Sequence, residues 1–187
     1  MKRIALTILA ATTALVAAAC SGPGAGDVQS SPSSEGHNAA DVRFAQEMIA
    51  HHRQAIVMAD MVDDGAASEE VRDLAERIQQ AQEPEIATMT QWLESWGEDV
   101  PSDASLMGGD MAGMMSEDTM SQLMGIEGAE FDRMFLQMMT AHHEGAIEMA
   151  RIEQEEGSFA SAKDLAAQIE IDQQAEIEEM AELLGTL

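Results

Sequence analysis

From residue 41 onward, apolar side chains return every three or four positions. Phe44, Met48, Ala55 and Ala59 fall in one stripe, and Phe135, Met139, Ala146 and Ala150 repeat it. That is the period of a helix burying one face, and it predicts helices over about 41–64 and 129–156. Leu74, Ile78, Ile86, Met89 and Leu93 carry the same period over 68–96, answered over 158–184. Gly65 and Gly157 punctuate the turns between the helices. No window shows the two-residue alternation of a strand.

The answering is literal. Sliding the chain against itself by 91 residues aligns Phe44 with Phe135 and runs without a gap to Leu187. Met48/Met139, His51/His142, His52/His143, Met58/Met149, Gln82/Gln173, Glu85/Glu176 and Met89/Met180 are among the matches. The chain is a tandem duplication. Two helical hairpins with apolar stripes bury them best against each other, so the predicted fold is all-α, a four-helix bundle built from two tandem helical hairpins. Repeat one spans 41–97, a Met-rich connection 98–127, and repeat two 128–187. Pro84, where repeat two has Ala175, predicts a kink or break near Glu83, because a mid-helix proline costs about 3 kcal/mol. Within the connection, the stretch from Ser116 to Met124 reads as a short helix capped by Ser116, with Met120 and Met124 packing. The connection is expected to cross the end of the bundle.

The first forty residues belong to another class. Lys2 and Arg3, an apolar run from Ile4 to Val16, and small residues up to Ala19 make an export signal over 1–19, too short to span a bilayer. Cys20, the sole cysteine, closes a lipobox-like "AAAC" and is the expected lipidation site, while an ordinary signal peptidase cutting after Ala19 would fit the same small residues. Residues 20–40, rich in Ser, Gly and Pro, read as a flexible tether in which His37 has no assigned role. The protein is thus expected outside the cytoplasm, held to the membrane through lipid alone. The whole chain carries a formal charge of −26, and cleavage after Ala19 would remove Lys2 and Arg3, leaving seven basic side chains against 35 acidic ones, or −28. A surface that negative repels nucleic acid and anionic headgroups.

Four of the five histidines sit in the two "AHHxxAIxMA" segments. On a helical wheel with Met48 at zero, His52 lies at about +40° and His51 at about −60°, so both flank the buried stripe. Methionine stands one turn before and about two turns after them, in both repeats. Imidazole is the commonest ligand for transition metals, and the thioether selects soft ions, Cu(I) above all. The candidate metal ligands are Met48, His51, His52 and Met58 with Met139, His142, His143 and Met149. Met107, Met111, Met114 and Met115 add thioethers in a glycine-rich loop where packing explains them less well. Against this stands a plainer reading, in which methionines at helical spacing fill a core. Asp41 and Asp132 read as first-turn acids that offset their own helix dipoles, and Glu85 and Glu176 as surface groups.

The doubled "HHxxAIxMA" at 51–59 and 142–150, with "QxxEIxxM" at 82–89 and 173–180, resembles the bacterial family called domain of unknown function 305. The resemblance covers 41–187 and implies a ferritin-like bundle in exported or membrane-attached proteins, some associated with copper binding through Met and His. The expected function is therefore an extracytoplasmic copper-binding lipoprotein that sequesters copper or hands it over. One alternative is a structural or interaction lipoprotein without metal. A ferritin-like di-iron oxidase is a weaker one: its Glu-x-x-His triplets would begin at Met48 and Met139, where the acid is replaced. No nucleophile setting, phosphate loop or dinucleotide fingerprint accompanies these residues, so no enzyme activity is expected.

Overall fold

Asn38 starts the first helix. Its side chain accepts the backbone N–H groups of Ala40 and Asp41, while the Asp41 carboxylate accepts that of Asn38. This reciprocal cap satisfies donors that a bare helix end would leave orphaned. The computed structural model describes residues 36–62, 68–102 and 111–187. The predicted export segment, Cys20, Gly65 and Met107 lie outside them.

Among the described residues there are five helices and no strand: α1 (Ala39–Asp60), α2 (Glu69–Trp96), α3 (Glu117–Met124), α4 (Ala129–Glu156) and α5 (Ala160–Thr186). None is long and apolar enough to cross a membrane. α1 pairs with α2 and α4 with α5, and the two hairpins join mainly through α1 against α4. These run antiparallel, since Asn38 Nδ2 donates to the Glu156 carbonyl and Arg43 pairs with the Glu156 carboxylate at 2.9 Å. Ser116 caps α3 through the Thr119 N–H as its sequence predicts.

Three expectations need correction. α2 runs unbroken through Pro84. Pro84 and Gln80 both lie on the exposed face, so the carbonyl that the missing N–H would have met can turn to water, while Ile78, Gln82 and Met89 on either side of the proline are buried. The connection does not simply cross an end: residues 111–116 lie along the α1/α4 seam, where Ala112, Gly113 and Met115 touch the middle of both helices. Finally, the last residues of the tether belong to the folded part, because His37 stacks on Trp96 at 4.3 Å and Ser158 Oγ donates to the Gly36 carbonyl.

The core is not continuous. One apolar cluster gathers Met58, Leu74, Ile78, Phe131, Phe135 and Met139, and a second gathers Phe44, Met48, Ile49, Met89, Leu93 and Met149. In every long helix a buried polar residue or two separates the members of one cluster from those of the other: His51 and His52 in α1, Gln82 in α2, His142 and His143 in α4, Gln173 in α5. A polar layer thus crosses the middle of the bundle.

Candidate metal centre

All four motif histidines are buried in that layer. Their stripe-edge positions turn His51 and His142 toward the α1/α4 seam, where the two rings lie with centroids 3.7 Å apart, tilted by 36°. His52 and His143 turn toward their own hairpin partners. His52 Nε2 sits 2.6 Å from Glu85 Oε2 on α2, and His143 Nε2 sits 2.7 Å from Glu176 Oε2 on α5. So the two glutamates are not the surface groups that their sequence context implies; each orients one histidine.

These bonds leave donors over. Nδ1 of all four histidines has no hydrogen-bond partner, and His142 has none at Nε2 either. The His51 backbone approaches the His142 ring without reaching hydrogen-bond geometry. Only His51 finds a bond across the seam, Nε2 lying 3.1 Å from the Ala112 carbonyl of the connection. The side-chain oxygens of Gln82 and Gln173 are buried and unpartnered as well. An unpaired buried polar group costs about 1–3 kcal/mol, so a layer with this many is expensive unless something else occupies its lone pairs.

Electrostatics keep the central pair neutral. Burial pushes the His51 imidazole down from 6.5 to about 3, with positive charge on His52 acting in the same direction and the Ala112 carbonyl opposing it. Burial, then the charge of His51 and the other two histidines, holds His142 well below its ordinary value. Neutral imidazoles at pH 7 present free lone pairs, the form a metal requires.

The methionines flank this layer. Met48 and Met149 lie in the cluster on one side and Met58 and Met139 in the cluster on the other. Antiparallel packing therefore pairs the early methionine of one repeat with the late methionine of the other. All four are buried. Among the described residues, no three His, Cys, Asp or Glu side chains converge to hold a metal. The layer itself presents imidazole nitrogen, with methionine thioethers in the clusters on either side; both donor types suit a soft or borderline ion. Met111, Met114 and Met115 are half-buried on the seam, and Met120 packs as predicted, but Met124 is 63% exposed.

Sequence reasoning missed Gln82 and Gln173 as members of the layer. Their signal was present: each stands in an apolar stripe, four residues after Ile78 or Ile169 and three before Glu85 or Glu176, in both repeats.

The model of a domain of unknown function, DUF305, matches residues 41–184. The chain belongs to the DUF305 family. Two solved members superpose on it, a protein of Streptomyces coelicolor described as secreted (36% identity, TM-score 0.72, covering 79% of this chain and 93% of that one) and a fragment from Deinococcus radiodurans (30%, TM-score 0.73, 80% and 98%). A third similar structure is CopM in its Cu(II)-bound form (32%, TM-score 0.67, 78% and 96%). CopM is also known with Cu(I) and with Ag bound and in an apo form. Among curated proteins none matches the chain.

Proposed function

We propose that this DUF305 protein binds copper in its central polar layer, as Cu(I), and works as an exported carrier or buffer rather than as an enzyme. The observation that carries this reading is the close, tilted His51–His142 pair, buried and held neutral, with unpartnered nitrogens on both rings. Likeness to CopM, solved with copper and with silver, supports it. The candidate ligands are His51, His52, His142 and His143 with Met48, Met58, Met139 and Met149, not all of them at one ion. Copper is cargo here, so affinity and release matter more than reactivity. Thioethers favour Cu(I).

Export rests on residues 1–19 and on likeness to a protein described as secreted. Lipidation of Cys20 would hold the bundle at the membrane surface through the 21–35 tether, and acidity would draw cations toward it.

Anaerobic Cu(I) titration against a chromophoric chelator tests the reading. Wild type should hold copper, and the His51→Ala/His142→Ala double should lose at least one ion. Equal stoichiometry and affinity in the two proteins would overturn it.

A further inference from the structure

The two ends of the bundle differ in a way the duplication does not require. Around Trp92, Trp96 and Phe159 one end is closed by stacked and edge-on aromatic rings. The other end, where α1 stops and α3 docks, adds to its Phe131/Phe135 pair more thioethers than the three, Met48, Met89 and Met149, of the cluster at the aromatic end. Met58, Met120, Met138, Met139 and Met180 are buried there, with Met61, Met115 and Met134 packed around them. Three of these break the repeat: the positions 91 residues away from Met61, Met134 and Met138 hold Ile152, Arg43 and Glu47.

Core filling accounts for the buried members. It does not account for Met124, which is 63% exposed. Met124 and Met61 line one groove of about 480 Å³ between the end of α1 and α3, floored by Val57, Leu123 and Phe131, with Asp60 and Glu127 among its lining residues. An exposed and a half-buried methionine, with Glu127 and Asp60 in the same lining and one Asp60 oxygen bonded to Gln79 Nε2, are a donor set with a defined taste. The acids raise the local concentration of any cation, and the sulfurs retain a soft one.

From this groove the thioethers continue inward. Met61 packs against the cluster that holds Met58 and Met139. Met115 packs against the same cluster, and its backbone N–H and carbonyl are both bonded to Gln54, three residues beyond His51.

We propose that the Met61/Met124 groove is a second site, at the surface, for a soft monovalent cation, and that it serves as the point of entry to the buried histidine layer. This deepens the copper reading and rests on it for the destination of the ion, but not for the existence of the surface site.

The test uses the full chain labelled with 13C at the methionine methyl groups, and Ag(I) as a redox-inert soft ion. The Met61 and Met124 methyl signals should shift on addition of Ag(I), in wild type and equally in the His51→Ala/His142→Ala protein. The Met61→Leu/Met124→Leu variant, which keeps the apolar volume, should bind one ion fewer and fill the histidine layer more slowly. The proposal is overturned if both methyl signals stay in place while silver binds elsewhere, or if that variant binds as many ions at the same rate. It is also overturned if Zn(II) moves the signals as much as Ag(I), because the carboxylates alone would then explain the attraction. If the histidine double binds as much silver in its core as wild type, the copper reading fails at the layer while the methyl shifts still decide the groove.

Discussion

Glu85 reaches 33 residues along the chain to fix His52, its carboxylate 2.6 Å from Nε2, and Glu176 repeats the contact with His143 at 2.7 Å. A carboxylate on one ring nitrogen sets the tautomer and aims the other nitrogen, raising its basicity. Here the nitrogen so aimed is Nδ1, which has no protein partner in either ring. Removing such an outer partner typically costs 10–100-fold in metal affinity. We therefore expect Glu85→Ala/Glu176→Ala to bind copper about 10–100-fold more weakly than wild type, measured by chelator competition. An unchanged affinity would mean that His52 and His143 are packing residues only.

Asp41 and Asp132 each reach across to the other repeat. Asp41 Oδ1 accepts the backbone N–H groups of Ser158 and Phe159 at the start of α5, at 3.0 and 2.9 Å, and Asp132 Oδ2 accepts that of Ser68 at the start of α2, at 3.1 Å. Each repeat thus fastens the second helix of the other. Burial by itself would raise the Asp41 pKa, but the backbone donors of Phe159, Asn38 and Ser158 outweigh it and the net shift is downward. Asp41→Ala should destabilise the bundle by roughly 1–3 kcal/mol, the cost of leaving buried donors unpaired. Urea unfolding measures this, and a loss below about 0.5 kcal/mol, the range of ordinary surface changes, would contradict the cross-repeat role.

The seam admits the connection only because two glycines meet there. A Cβ on Gly145 would lie 2.1 Å from the Ala112 carbonyl oxygen, and Gly113 sits at φ +79° against the Ala141 and His142 carbonyls. Gln54 occupies the position equivalent to Gly145 in repeat one and instead binds the connection by two bonds to Met115. Gly145→Ala should push residues 111–116 off the seam, with a stability loss of about 1–3 kcal/mol and faster proteolytic cleavage within 111–116. Cleavage at the wild-type rate would show that the seam can absorb a methyl group.

Stability of the metal-free protein should have an optimum in pH set by opposed groups, the depressed His51 and His142 on one side and Glu153 on the other. His51 has a folded pKa of about 3 against 6.5 unfolded, so its contribution is complete above 6.5 and is lost as pH falls toward 3. Glu153 behaves the other way. It is 1% exposed, with neither carboxyl oxygen partnered, beside Asp41 but outside hydrogen-bond geometry. Burial and the negative Asp41 push it up to about 8, against the opposing charges of Lys163 and Arg43. Its contribution is complete below 4.5 and is lost as pH rises to 8, with a slope of up to about 1.4 kcal/mol per pH unit for one proton. Repeat one has Val62 at the equivalent buried position. Glu153→Gln should flatten the loss between pH 4.5 and 8 and move the optimum upward in denaturation curves taken across that range. Identical curves for the two proteins would place the Glu153 carboxyl in contact with water.

Pro84 is tolerated but not free. Pro84→Ala restores an N–H for the Gln80 carbonyl and should stabilise α2 by up to about 3 kcal/mol, with copper affinity unchanged, as thermal melts and titration would show. A destabilised variant would mean that the helix needs the proline.

The sequence by itself determined the helices, the duplication and the depth of the histidines, because each depends on spacing along one element. Period alone put His51 and His52 at the edge of the buried stripe, and the offset of 91 promised a mirror image. Ser116 as the cap of α3 follows from chemistry that acts within a turn. Which faces meet across helices is another matter. Only the antiparallel docking of α1 on α4 could bring His51 onto His142, set Met48 beside Met149 rather than beside Met139, and turn Asp41 toward Phe159. Only the hairpins could bring Glu85 and Glu176 to His52 and His143. A carboxylate at the edge of a stripe looks the same in sequence whether water or an imidazole faces it. The difference is made by a neighbour on another helix, and so by the rotation and crossing of helices that local spacing does not encode.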